Sequence, residues 1–243
     1  MKKILILFLV MIAFLSCNNE EENGMATLIF SHNWDGIPIT KLDFNQLKFT
    51  NANGEKLSIE KLRYVLSNIS FVGAKNNHLV DIGEDTGMLL TITDLNTGIN
   101  NLKFTFGFKD EDNIDGVYQD LNSVNFNVPG MLGGGYHYMQ FDGKYLDINN
   151  QETGFNYHTI RAVNRTDPNN LILQDTSFEV DFGTVEIGNN TIIEIKVNLA
   201  EWFKNPNTWN LNELNTVLMP NFDAQILMNA NGKSVFSLGE VTQ

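Results

Sequence analysis

The stretch "GGGYHYMQFDG", residues 133–143, sets a histidine between two tyrosines, with a methionine two places on, directly behind three glycines. A neutral imidazole nitrogen can bind a metal, and a thioether adds a soft donor suited to copper(I). On a strand, side chains two apart share a face, so His137 and Met139 are expected on one side, with Tyr136, Tyr138 and Gln140 on the other. The same count applied to "LIFSHNWDG" puts Leu28, Phe30, His32 and Trp34 on one face, where an imidazole and an indole end an apolar stripe. His158, in "FNYHTIRAV", lies on a third strand segment, and His78, in "AKNNHLV", reads as a solvated hairpin tip. Taken singly, each ring is explained as an imidazole hydrogen-bonded to backbone among aromatics. Converged at one sheet end, His32, His137 and His158 would form a site for copper or zinc, with Met139 as a soft fourth donor.

The only cysteine, Cys17, ends the apolar run "ILILFLVMIAFL" that follows Met1, Lys2 and Lys3. As a helix that run would span about 18 Å, short of a roughly 30 Å hydrocarbon core, so it reads as a signal peptide over residues 1–16. The "FLSC" ending resembles a lipoprotein signal, which makes Cys17 the expected lipidation site. Residues 17–25, with "NNEEENG", read as an acidic flexible tether. Acidic residues behind a lipidated cysteine resemble the export signal of lipoproteins displayed on the outer face of some Gram-negative outer membranes, and the expected location is the outer membrane, on its periplasmic face or at the cell surface. With Cys17 consumed, the folded part has no disulfide, thiolate nucleophile or thiolate ligand, which excludes four-cysteine zinc sites and blue-copper centres.

The formal charge is −13, and removing Lys2 and Lys3 takes two positive charges away to leave −15. Such a surface repels nucleic acid and anionic lipid. Most enzyme signatures are missing: there is no G-x-S-x-G, "NGKS" lacks the upstream glycine of a phosphate loop, "GMLGGG" has no dinucleotide spacing, and no carboxylate pair for glycoside cleavage stands out, so hydrolysis through the acidic loop ranks last among the readings. The acidic group Asp110, Glu111, Asp112 and Asp115 lacks the glycine of a calcium loop and reads as solvated.

Segments of period-two alternation recur between Gly, Asn and Asp turns, among them "LRYVLSNISFV", "LKFTFGF", "YHTIRAV", "SFEVDFGTVEI", "NTIIEIKVNL" and "AQILMNA". They predict an all-β, antiparallel sandwich over residues 26–243, with one long loop, "DEDNIDGVYQDLNSVNFNVPGMLGGG". "NLAEWFKNPNTWNLNELNTVLMPN" predicts two short helices broken at Pro206 and stopped at Pro220, with Trp202 and Trp209 in the core.

"IFSHNWDGIPI", "KLRYVLSNISFV", "FTFGFKDEDNIDGVYQDLN", "GYHYMQFDGKY" and "GFNYHTI" occur in an order and spacing that resembles the MbnP-like family, from about Ala26 to about Gly239. The resemblance implies a β-sandwich holding one copper ion through histidines, carried here onto His32, His137 and His158. In some members it implies a tryptophan oxidised by a partner di-haem peroxidase-like protein, with Trp34 the candidate. Many relatives have tryptophans just before the "GY" segment, where this chain has "FNVPGMLGG". The expectation is a lipid-anchored copper protein for capture, storage or delivery and not an enzyme. The alternative is a metal-free surface module gripping glycan or protein through an exposed Trp34 and the tyrosines.

Overall fold

The computed structural model describes residues 23–72, 77–167 and 169–243. The segment read as a signal peptide, Cys17 and most of the segment read as an acidic tether lie outside the described residues. Strands dominate, in two large sheets and one small ribbon, and the expected all-β sandwich is the fold observed. The five-stranded sheet runs Phe236–Thr242, Thr191–Asn198, Asn23–Trp34, with Ile37–Pro38 and Leu89–Asn96 both on the far side of Asn23–Trp34. The eight-stranded sheet runs Phe178–Ile187, Gly98–Phe106, Lys61–Ser67, Met139–Leu146, Lys56–Leu57, Phe49–Thr50. Asn77–Asp81 also pairs with Lys61–Ser67, and Glu152–Thr159 with Met139–Leu146. Pairing is antiparallel throughout, except between Asn23–Trp34 and Thr191–Asn198.

The core forms where the alternation directs it. Ala26, Leu28, Phe30, His32 and Trp34 are all buried, while the intervening residues are partly exposed. Tyr64 and Phe106, from the facing sheet, meet Phe236 of the five-stranded sheet with ring centroids 5.9 and 5.8 Å apart. Interdigitating aromatics of this kind fill the space between sandwich sheets. A smaller cluster of Val128, Leu132, Ile160 and Val163 carries Leu171, Leu173 and Met219 at its margin.

The segment "AQILMNA" departs from the reading as a strand. It lies in the α-helix Phe222–Gly232, capped by Asn221, whose side chain accepts from the Ala224 backbone N–H. That cap, with Asp223 in the first turn and a run of Ala, Gln, Leu and Met, favours helix over strand locally. The two helices expected before Pro220 reduce to a 3-10 turn, Leu199–Phe203, followed by irregular chain. Trp202 and Trp209 are buried, as expected. Among the described residues no helix is long and apolar enough to cross a membrane.

Candidate metal site

The triple glycine takes up a backbone conformation that other residues avoid. Gly133, Gly134 and Gly135 have φ of 96°, 64° and 78°, and a Cβ on Gly135 would lie 2.4 Å from Asn113 Oδ1. Only glycine permits this path at low cost. It lets the chain cross back beside residues 126–128, where Val128 N–H donates to Gly135 O and His137 N–H to Phe126 O. His137 is therefore held by the long loop and stands before the sheet register, which begins at Met139.

That junction overturns one expectation. Met139 is 1% exposed, pairs with Tyr64 and belongs to the core between the sheets. The ring of His137 instead meets Phe126, His158 and Met219. Period-two counting from Met139 back to His137 fails because the backbone between them changes partners, from sheet to loop.

His158 reaches the same place from the neighbouring strand. It pairs with Gln140 on the outer face of the eight-stranded sheet, where Arg63 Nε–H donates to Gln140 Oε1. The His137 and His158 rings lie 5.2 Å apart, centroid to centroid, nearly perpendicular at 84°. His32 is on the other side of that sheet. Its Nε2 is hydrogen-bonded to the Tyr64 hydroxyl at 3.1 Å, and Tyr64 faces the inter-sheet core. The expected meeting of three imidazoles is thus a meeting of two, with the thickness of a sheet between them and the third. Among the described residues no group of three or more His, Cys, Asp and Glu side chains is arranged to hold a metal.

The third donor at the pair is one the sequence reading passed over. Met219 Sδ lies 3.2 Å from His137 Nε2. On the far side of that ring, Nδ1–H donates to Phe126 O at 3.0 Å, because a carbonyl can only accept. Burial pushes the His137 pKa down to about 4, opposed by the Phe126 hydrogen bond, so at neutral pH the ring carries one proton, on Nδ1. Nε2 and the sulfur then face each other as two lone-pair donors with no proton between them.

His158 is oriented in the same manner. Its Nε2–H donates to Asp142 Oδ1 at 2.7 Å, which in the neutral ring leaves Nδ1 as the lone-pair nitrogen. Burial raises the Asp142 pKa, but hydrogen bonds from His158 and Asn156 and the charge of Lys61 outweigh it and hold the carboxyl down at about 2. A carboxylate or carbonyl behind an imidazole is the usual outer support of a metal-binding histidine. Asp142→Ala is accordingly expected to lower metal affinity about 10-fold to 100-fold, read by competition titration against a chromophoric chelator. Unchanged affinity would show that the Asp142 contact does not orient a ligand.

Gln225 locks these parts together. Its buried carboxamide accepts from Ile160 N–H at 2.8 Å and donates to the carbonyls of His158 at 2.9 Å and Leu218 at 3.1 Å. One side chain on the helix Phe222–Gly232 thereby ties the strand of His158 to the segment bearing Met219.

The sequence profile of the MbnP family matches residues 23–220, a span that contains His137, His158 and Met219 and ends just before that helix. The chain belongs to the MbnP family. Its structure is similar to that of MbnP from Methylosinus trichosporium, with a TM-score of 0.56 and 11% sequence identity, covering 89% of this chain and 98% of that one. At that identity the likeness is one of fold. No curated protein matches this chain.

The other candidate residues have structural surroundings. Trp34 is 5% exposed, stacks on Phe49 at 5.1 Å and donates its Nε1–H to Thr50 O at 3.0 Å, on the inner side with His32. Tyr136 and Tyr138 are fully buried, so the metal-free reading through exposed aromatics loses its surface. His78 is not at a solvated tip. It lies in the strand Asn77–Asp81, stacked on Phe30, with Nε2–H donating to Gly87 O at 2.7 Å. Asp110 pairs with Arg161, and Asp112 accepts from Asn68.

Proposed function

We propose that this MbnP-family chain binds one copper ion through His137 Nε2, His158 and Met219 Sδ, and that it captures, stores or delivers the metal without turnover. The observation that carries the reading is the contact between His137 Nε2 and Met219 Sδ at 3.2 Å, with the Phe126 carbonyl on the other ring nitrogen assigning the ring proton to Nδ1. Typical metal–imidazole and metal–sulfur bonds of about 2.0 and 2.3 Å reach further than that in total, so one ion can touch both atoms. An ion about 2 Å from a ring nitrogen lies about 3 Å from the ring centroid, and the 5.2 Å between the two imidazoles is within reach of a shared ion.

The donor set argues for copper. Imidazole serves zinc and copper alike, whereas thioether sulfur selects copper(I), and the folded residues contain no cysteine that would favour zinc. The family resemblance points the same way. In this reading Met139 and His32 are core residues, and Trp34 is remote from the ion. Lipid on Cys17 would hold the protein at the outer membrane, and a di-haem peroxidase-like partner is implied by the resemblance alone.

Met219→Leu tests the donor set, since it conserves volume and removes only the sulfur. The expected result is a loss of copper(I) affinity of about tenfold or more, with zinc(II) affinity changed much less, in anaerobic competition titrations. Equal losses for both metals, or none for copper(I), would remove Met219 from the site.

A further inference from the structure

Resting on the copper reading above, we propose that the cleft beside Met219 binds a small uncharged molecule with one nitrogen or sulfur donor and an apolar body, which takes the coordination position the protein leaves open. The cleft has a volume of about 370 Å³ and is lined by Asn156, His158, Val217, Leu218, Met219 and Pro220. Two of the three proposed donor residues, His158 and Met219, line it, so a molecule in the cleft lies directly beside the proposed site. An ion held by these three donors would accept one further ligand if bound with four. The volume is that of a small-molecule site.

The rest of the wall describes the ligand's body. Val217, Leu218 and Pro220 are apolar, and Val217 is 75% exposed. Val217 also has φ of 58°, a left-handed conformation that a β-branched residue adopts only under strain. Such strain concentrates at ligand clamps. Here it turns an apolar side chain outward at the mouth of the cleft, where burial within the protein does not compensate it. An apolar body seated on Val217 would. Charge excludes another class of ligand: Asp142 stands behind His158, and the chain carries a formal −13, so carboxylates and phosphates are repelled. The event is coordination alone, with no change of oxidation state and no covalent step.

The test uses the full chain loaded anaerobically with one equivalent of copper(I), titrated with 1-methylimidazole, with acetate as the anionic control. Saturable binding of one equivalent is expected, about tenfold or more tighter than to the copper-free chain, with copper retained on ultrafiltration and acetate inert. Val217→Trp, which crowds the mouth without adding β-branching, should abolish imidazole binding and leave copper affinity unchanged. Absence of saturable binding, equal binding with and without copper, loss of copper to the filtrate, or indifference to Val217→Trp would overturn the proposal. Copper uptake is measured before any imidazole is added. Failure at that step refutes the copper reading itself and this proposal with it, whereas failure after it refutes this proposal alone.

Discussion

Replacing His137 or His158 with alanine is expected to lower copper(I) affinity about 100-fold or more, whereas His32→Ala leaves it within about threefold. Outer-shell partners of metal-binding histidines are commonly worth 10-fold to 100-fold, and a direct ligand exceeds that range. A 100-fold loss corresponds to about 2.7 kcal/mol. The contrast among the three variants is the sharp part of this prediction. His137 and His158 share one place on the outer face, 5.2 Å apart, while His32 is hydrogen-bonded to Tyr64 in the inter-sheet core. Affinity would be measured against a chromophoric copper(I) chelator, with circular dichroism confirming that each variant is folded. If His32→Ala costs as much as His137→Ala, the ion is not where the His137–His158–Met219 geometry puts it.

The second large effect is on stability in acid. Burial depresses the pKa of His32 to about 3, and burial, partly offset by the Phe126 hydrogen bond, depresses that of His137 to about 4, both from an ordinary 6.5. Both rings stay neutral in the folded chain while the unfolded chain takes up protons, so the stability is complete above pH 6.5 and declines as pH falls from there towards 4 and 3. At pH 5 each ring contributes a loss of about 2 kcal/mol relative to pH 8, for a combined loss of about 4 kcal/mol. Asp142 adds nothing in that window, because its depressed pKa of about 2 tells only below the ordinary carboxylate range. Urea denaturation of the metal-free protein from pH 8 to 5 measures the decline. Burial also lowers the His78 pKa and adds to the decline, so His32→Leu should remove only its own share of about 2 kcal/mol. A flat profile would mean that neither ring is shielded from protons as its burial requires.

Part of the site was legible before any coordinates. The hairpin turn over residues 147–151 is marked by its Asp and Asn residues, and Asp147 Oδ1 accepts from the N–H groups of Asn149 and Gln151. Counting outward from Leu146 opposite Glu152 pairs Gln140 with His158 and Asp142 with Asn156, which sets Asp142 diagonally against His158. The Asp142–His158 contact could thus have been found by arithmetic along the hairpin. The alternation around His32 was equally plain, and its burial followed. What alternation cannot give is which of two sheets a face looks towards, and that decided whether His32 joined the other imidazoles. Met219 left no periodic trace. It reaches His137 across 82 residues from an irregular segment before Pro220, placed there by Gln225 and by the small apolar cluster of Val128, Leu132, Ile160 and Val163. Helix 222–232 was missed for a different reason: a short apolar run fits both periods, and the deciding signal was the Asn221 cap outside it.

The parallel pairing of Asn23–Trp34 with Thr191–Asn198 sets a condition on assembly. Ala26 lies opposite Thr191, so this ladder joins the first described strand to one near the other end of the chain. Until that late strand has emerged from whatever machinery delivers the polypeptide, the stripe Ala26, Leu28 and Phe30 has no neighbour on that side and presents bare amide groups along its length. Closure of the five-stranded sheet therefore waits for residues 191–198, and a chain cut short before residue 191 keeps an unpaired strand edge prone to association.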